Sequence, residues 1–147
     1  MLKISKKVEY ALIALLHMAE KAEGELTTAR ELAESYQIPP ELMGKILQKM
    51  ARKGLVQSIQ GVKGGYFLKE DLEGIDVASV VEVVDGPLKL VNCLKIEDEN
   101  LCGQLNVCRI RHTMGAIQSK LQEFLGEMNL AELQRALSVS VEEGRAK

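Results

Sequence analysis

The chain opens on an apolar helix pattern. Over residues 8–22 nearly every position is hydrophobic except Glu9, His17, Glu20 and Lys21, which predicts a helix buried on several sides. Thr28-Ala29-Arg30-Glu31 has the form of a capping box, with Thr28 as N-cap and Glu31 reaching back, and opens a short helix to about Tyr36. Gln37-Ile38 then makes a tight turn, and Pro39-Pro40 presets φ for the next helix, residues 39–53. Gly54 is its expected C-cap, with Arg52 and Lys53 well placed against the helix dipole. Two short strand patterns, residues 55–60 and 66–68, flank the tip Gly61-Val62-Lys63-Gly64-Gly65 and read as a hairpin. A helix pair of this kind followed by a hairpin is a winged helix.

Asp76 caps a further helix with Val77, Val80, Val81 and Val84 on one face, stopped by Gly86-Pro87. Residues 88–107 show no clean period. Helical spacing returns over residues 108–128, where Ile110, Met114, Ile117, Leu121, Phe124 and Met128 form a stripe that suits either a core or a dimer seam. Asn129 can cap a last short helix carrying Leu130, Leu133 and Leu137, and residues 141–147 are expected to fray. There is no internal repeat. With 46% hydrophobic residues but only 3% aromatic, the core must be built from Leu, Ile, Val, Ala and Met, which favours a mostly α fold with a small β-hairpin wing. No apolar run approaches the roughly 20 residues of a membrane span, and the start lacks a signal-peptide pattern, so a cytoplasmic protein is expected.

Charge changes the picture. The net charge is −2, from 19 basic and 21 acidic residues, which by itself argues against a nucleic-acid partner. Between Leu42 and Lys69, however, lie Lys45, Lys49, Arg52, Lys53, Lys63 and Lys69 and no acidic residue, leaving 13 basic and 21 acidic elsewhere, a balance of −8. A local cationic surface on an otherwise acidic chain is the footprint of DNA binding. At 100° per residue, Leu42, Met43, Ile46, Leu47 and Met50 take one arc of the helix over 39–53. Glu41, Gly44, Lys45, Gln48, Lys49 and Arg52 take the other. The polar arc has the character of a recognition face, with Lys and Arg for phosphates or guanine edges and Gln48 for adenine. Gly44 costs about 1 kcal/mol in a helix interior, and a close approach to DNA or to a neighbouring helix would each account for it. The wing tip offers Lys63 and the backbone amides of Gly61, Gly64 and Gly65 to a phosphate or the minor groove. The expected DNA-contact set is Thr28, Lys45, Gln48, Lys49, Arg52, Lys63, Gly64, Gly65 and Tyr66.

Three cysteines, an odd count without an export signal, argue against a disulfide scaffold. Cys93, Cys102 and Cys108 are spaced C-x₈-C-x₅-C, which lacks the C-x₂-C pairs of a structural zinc site. Three thiolates in an irregular segment suit an iron–sulfur cluster whose fourth ligand comes from elsewhere. Arg109 and Arg111 would offset its charge. His17, on a largely apolar helix, reads as a satisfied core histidine.

Several of these motifs together resemble a known family. Val8-Glu9-Tyr10-Ala11-Leu12, Leu32-Ala33, Gly54-Leu55-Val56 and above all Gly61-Val62-Lys63-Gly64-Gly65-Tyr66 are similar to the Rrf-two family of winged-helix transcriptional regulators, over roughly the whole chain. The resemblance implies a homodimer joined through a long C-terminal dimerisation helix, with a DNA-binding domain over 1–75 and the cysteine loop and dimerisation helices over 76–147. It implies a repressor that binds two half-sites of double-stranded DNA and senses redox, nitric oxide or iron status through a 2Fe–2S or 4Fe–4S cluster on Cys93, Cys102 and Cys108. In one cluster-binding subgroup the fourth ligand is an acidic residue near the start of the other subunit's first helix, where Glu9 falls. In another it is a histidine just after the third cysteine, and His112 stands one residue beyond that spacing. The first cysteine gap is longer than the family's usual one. The alternative is a cluster-free regulator switched by thiol oxidation or by a partner enzyme. More distant are a winged helix that binds protein, and a thiol enzyme using Cys108 and His112, for which no orienting group or oxyanion motif is recognisable. A non-enzymatic regulator is expected.

Overall fold

A computed structural model describes residues 2–91, 102–104 and 106–145. Helix α1 (Lys6–Ala19) starts at Ser5, whose hydroxyl accepts the Val8 N–H at 3.3 Å. It begins before the apolar pattern, because Lys6 and Lys7 are good helix formers that carry no hydrophobic signal. It also stops before residue 22, with Glu20 as C-cap. Val8, Ala11, Ala14, Leu15 and Met18 are buried.

Helix α2 (Ala29–Tyr36) is capped by Thr28, whose hydroxyl accepts the Glu31 N–H at 3.0 Å. The reciprocal half of the capping box is absent, since the Glu31 carboxylate is drawn to Lys21 and His17 instead. Gln37, in the left-handed region at φ 55°, ends α2. The buried Ile38 and the exposed Pro39 then lead into α3 (Pro40–Arg52). Met43, Ile46, Leu47 and Met50 of α3 are buried, as the helical wheel predicts. Gly54 follows the C-cap Lys53 at φ 86°, the backbone value that makes glycine the fitting residue there.

Strands β1 (Val56–Ile59) and β2 (Gly65–Leu68) pair antiparallel with Val56 opposite Leu68 and Ile59 opposite Gly65. A single backbone bridge adds a third edge: Thr27 N–H donates to Tyr66 O at 2.9 Å and Tyr66 N–H to Thr27 O at 2.8 Å. The wing is thereby stitched to the start of α2.

After a short 3₁₀ turn at Leu72–Gly74, α4 (Val77–Asp85) is capped by Asp76, which accepts the Ser79 N–H at 2.8 Å. Helix α5 (Arg111–Glu127) begins three residues later than the stripe predicts. Helix α6 (Leu130–Arg145) is capped by Asn129, as expected, but is neither short nor frayed by residue 141; it runs on to residue 145. One buried cluster unites Leu15, Leu32, Met43, Leu47, Val56, Val80, Val84 and Leu130, so the core of the winged helix continues past residue 75 into α4 and the start of α6. The architecture is mostly α with a two-stranded wing, a winged helix. No helix of the described residues is long and apolar enough to cross a membrane.

Candidate nucleic-acid interface and thiol segment

With one face of α3 sealed in the core, its opposite face is left to solvent. Glu41, Lys45, Gln48, Lys49 and Arg52 are all exposed. A Cβ added at Gly44 would meet nothing within 4 Å. Packing against a neighbouring helix therefore does not require the glycine, which removes one of its two explanations. Lys49 is the exception among the cations: its ammonium donates to the carbonyl of Val84, near the end of α4, at 2.9 Å.

The wing tip is shaped by its own sterics. A Cβ at Gly64 would lie 2.1 Å from Ile59 O and 2.9 Å from Gly61 O, and one at Gly65 would lie 3.0 Å from both Leu26 Cβ and Thr27 O. Gly61 sits at φ 117°. These glycines are thus required by the turn, whatever the tip touches. The Gly64 amide, expected to face a phosphate, donates internally to Gly61 O at 3.0 Å. Lys63 and Val62 project freely, whereas Tyr66 is half-buried with its N–H committed to Thr27.

A cleft of about 210 Å³ separates the wing from the N-terminus of α2, lined by Thr28, Ser58, Gln60, Gly61, Gly64 and Tyr66 among others. The positive end of the α2 dipole opens into it. Ser58, in β1, and Gln60, just past its end, were not among the expected contact residues. Arg30 stands exposed over a groove shared with Gln37, Pro39 and Pro40, ion-paired to Glu34 at 2.9 Å.

Of the three thiols, Cys93 lies outside the described residues. Cys102 and Cys108 are free and half-buried. His112 is exposed in the first turn of α5, beside the exposed Arg109 and Arg111. The carboxylate of Glu9 is paired with Lys6 of the same helix at 2.7 Å. Among the described residues no three His, Cys, Asp or Glu side chains come together as a metal site. The soft donor set of Cys102 and Cys108 suits iron or direct thiol chemistry equally well.

The Rrf2 family model, described as an iron-dependent transcriptional regulator, matches residues 4–136. The chain belongs to the Rrf2 family. It is similar to the HTH-type transcriptional regulator NsrR of Bacillus subtilis, 29% identical over 113 residues that cover 77% of each chain. Among solved structures it is similar to CymR, the global cysteine regulator of B. subtilis, with a TM-score of 0.69 and 25% identity over 92% of this chain and 98% of that one. It shares its fold with T. potens IscR, at TM-score 0.69 and 20% identity over 92% of this chain and 88% of that one. The chain is thus an Rrf2-type transcriptional regulator with the winged-helix fold that its sequence predicts.

Two further features of this Rrf2 regulator concern α1 and α5. His17 bridges α1 to α2, with Nδ1 against the Tyr36 hydroxyl at 2.8 Å and Nε2 against Glu31 Oε1 at 3.3 Å. Lys21 shares the same carboxylate. The Lys21 hydrogen bond, helped by that of His17 and opposed by burial, holds the Glu31 carboxyl below its ordinary value. His17 is accordingly a satisfied structural histidine. Helix α5, by contrast, buries no residue in its own chain, and Ile110, Ile117 and Phe124 are exposed to 59%, 44% and 56%.

Proposed function

We propose that this Rrf2 regulator is a homodimeric, cytoplasmic repressor that reads two half-sites of duplex DNA and is switched by its three cysteines. The observation that supports DNA reading is the split of α3, with Met43, Ile46, Leu47 and Met50 buried and Lys45, Gln48 and Arg52 free on the opposite side. Lys45 and Arg52 would take phosphates or guanine edges, and Gln48 an adenine edge. Thr28, Ser58 and Gln60 around the α2 dipole, with Lys63 at the tip, would hold the backbone on either side of the wing. Gly64, Gly65 and Tyr66 act as the frame that sets the tip's shape.

Dimerisation is supported by the apolar stripe along α5, of which Ile110, Ile117 and Phe124 are exposed and Met114, Leu121 and Met128 half-buried. Ile110, Met114, Ile117, Leu121, Phe124 and Met128 recur at alternating intervals of about 3 and 4, the spacing of a coiled-coil seam. The other side of α5 packs on α4, where a Cβ at Gly126 would meet Ala78 at 4.0 Å. A two-fold dimer places two recognition helices about one turn of DNA apart.

The residues that would hold an iron–sulfur cluster are Cys93, Cys102 and Cys108, with Glu9 of the partner subunit or His112 as the fourth. A cluster would supply a redox- and nitric-oxide-reactive centre. Lys6 occupies Oε2 of Glu9, so ligation through that oxygen would displace Lys6. The likeness to the cysteine regulator CymR favours a second reading, in which Cys102 and Cys108 respond by thiol oxidation without metal.

DNA binding is tested by fluorescence anisotropy on labelled duplexes over a salt series. Lys63→Glu is expected to weaken every duplex and to flatten the log–log salt slope by about 1 or more. An unchanged affinity and slope would remove the wing from the interface. Anaerobic purification with iron and sulfide counts separates the two switches: a coloured protein supports the cluster, and a colourless, iron-free one after reconstitution leaves the thiol switch.

A further inference from the structure

The helical wheel places Lys49 on the DNA face, yet the structure gives its charge another use. Helix α4 has no basic residue in its last turn. Its final four carbonyls have no intrahelical partner, and its negative dipole end is open. Gly86 N–H answers Glu82 O at 2.9 Å. Pro87, which has no N–H, cannot answer Val83. Val84 O receives the Lys49 ammonium at 2.9 Å, 35 residues away in sequence and from the recognition helix itself.

The end of α4 that Lys49 caps leads directly into the segment carrying Cys93. At the beginning of that segment, Leu90 N–H donates to Gln118 Oε1 of α5 at 3.0 Å. Two fixed points therefore flank residues 85–89. One is on the helix that reads DNA and the other on the helix that carries the apolar stripe. Lys49 is the direct side-chain hydrogen bond between α3 and α4 among the described residues.

We propose that Lys49 is a positioning residue rather than a phosphate contact: it caps α4 and so sets the tilt of the recognition helix relative to the chain leading to the cysteines. This rests on the DNA-reading function proposed above. A phosphate contact and a positioning cap differ in a measurable way. Removing a phosphate contact lowers affinity for all duplexes alike and reduces the salt slope by about 1. Removing a positioning cap leaves the counterion count alone and lowers affinity where alignment matters, on the specific site.

The experiment compares Lys49→Met, Lys49→Arg and Lys45→Met in the full-length protein. The probes are a duplex selected from a random library by the wild-type protein and a scrambled duplex of equal length. Lys45→Met should lose about one unit of salt slope on both. Lys49→Met should keep the wild-type slope, bind the scrambled duplex as the wild type does, and lose several-fold on the selected one. Lys49→Arg, which keeps a cationic donor, should restore the preference. In the DNA-free protein the Gly86 amide should exchange several-fold faster in Lys49→Met as the end of α4 frays.

A slope loss in Lys49→Met equal to that of Lys45→Met would overturn the proposal, as would unchanged Gly86 exchange. Failure of the wild type to bind either duplex would instead remove the DNA-reading function, and the exchange measurement would still decide whether Lys49 caps α4.

Discussion

Gly44 is where the stability of the fold and its function should pull apart. It sits in the middle of α3, where a glycine costs about 1 kcal/mol relative to alanine through backbone entropy. Its backbone is ordinary helix, so an alanine brings no φ penalty, and the added methyl would meet nothing within 4 Å. Among the described residues nothing near Gly44 offsets the gain. Gly44→Ala should therefore stabilise the protein by about 0.5–1 kcal/mol, a rise of roughly 1.5–3 °C in Tm for a chain of this size. In urea, the midpoint should rise with an unchanged m value. Protein concentration must be held fixed across variants, because the Tm of the proposed dimer would move with it.

On DNA the same methyl should act in the opposite sense. Gly44 lies between Glu41, Lys45 and Gln48 on the exposed face, and a side chain there would hold the helix away from the groove floor. Affinity for a selected duplex should fall while the salt slope stays that of the wild type, since no cation is lost. A loss of stability would refute the claim that this face is open. Raised stability with unchanged affinity would refute the claim that the glycine serves close approach to DNA.

Two further predictions rest on other faces. Glu31 has a folded pKa below its ordinary value of 4.5, chiefly through Lys21. A depressed carboxylate contributes stability that is present above the unfolded value and lost as pH falls through the folded one. Because the carboxylate is about a third exposed, the wild type should lose no more than about 1 kcal/mol relative to Glu31→Gln below pH 4.5, and parallel pH–stability curves would contradict this. Phe124→Glu should give a folded monomer by light scattering, since Phe124 is 56% exposed in its own chain; a dimer of wild-type strength would move the seam elsewhere.

What the sequence made legible was local. Thr28, Asp76 and Asn129 cap their helices as read, because a cap is decided within four residues. The buried arc of α3 follows from 3.6-residue periodicity alone. What escaped was non-local or carried no apolar signal. The Ser5 cap was hidden because Lys6 and Lys7 look like solvent. The length of α6 was hidden because Val139 and Val141 are exposed, at 56% each, and no longer follow a core stripe. Glu31 was expected to close its own capping box, but His17 of α1 and Lys21 just beyond its end compete for it. Lys49 shows the limit most clearly. A helical wheel says which way a side chain leaves its helix, and not that a carbonyl from α4 waits there.

Helix α4 is the element that makes Lys49 consequential. At its N-terminal end, Val77 N–H donates to Met128 O and Leu130 N–H to Ile75 O, both at 2.9 Å, so its start is bonded through backbone to the α5–α6 junction. Along its length, Val77, Val80 and Val84 are buried against the winged-helix core. At its C-terminal end, Lys49 holds Val84 O. Nine residues of α-helix span about 13 Å, and close packing along the buried face leaves little room to absorb a displacement. On the role proposed for Lys49, a shift at the α5 seam would reach α3 through two backbone bonds, a packed face and one ammonium. The backbone bonds survive side-chain substitution and the packed face cannot be cut without damaging the core. The ammonium is therefore the link at which the coupling can be severed while the fold is kept.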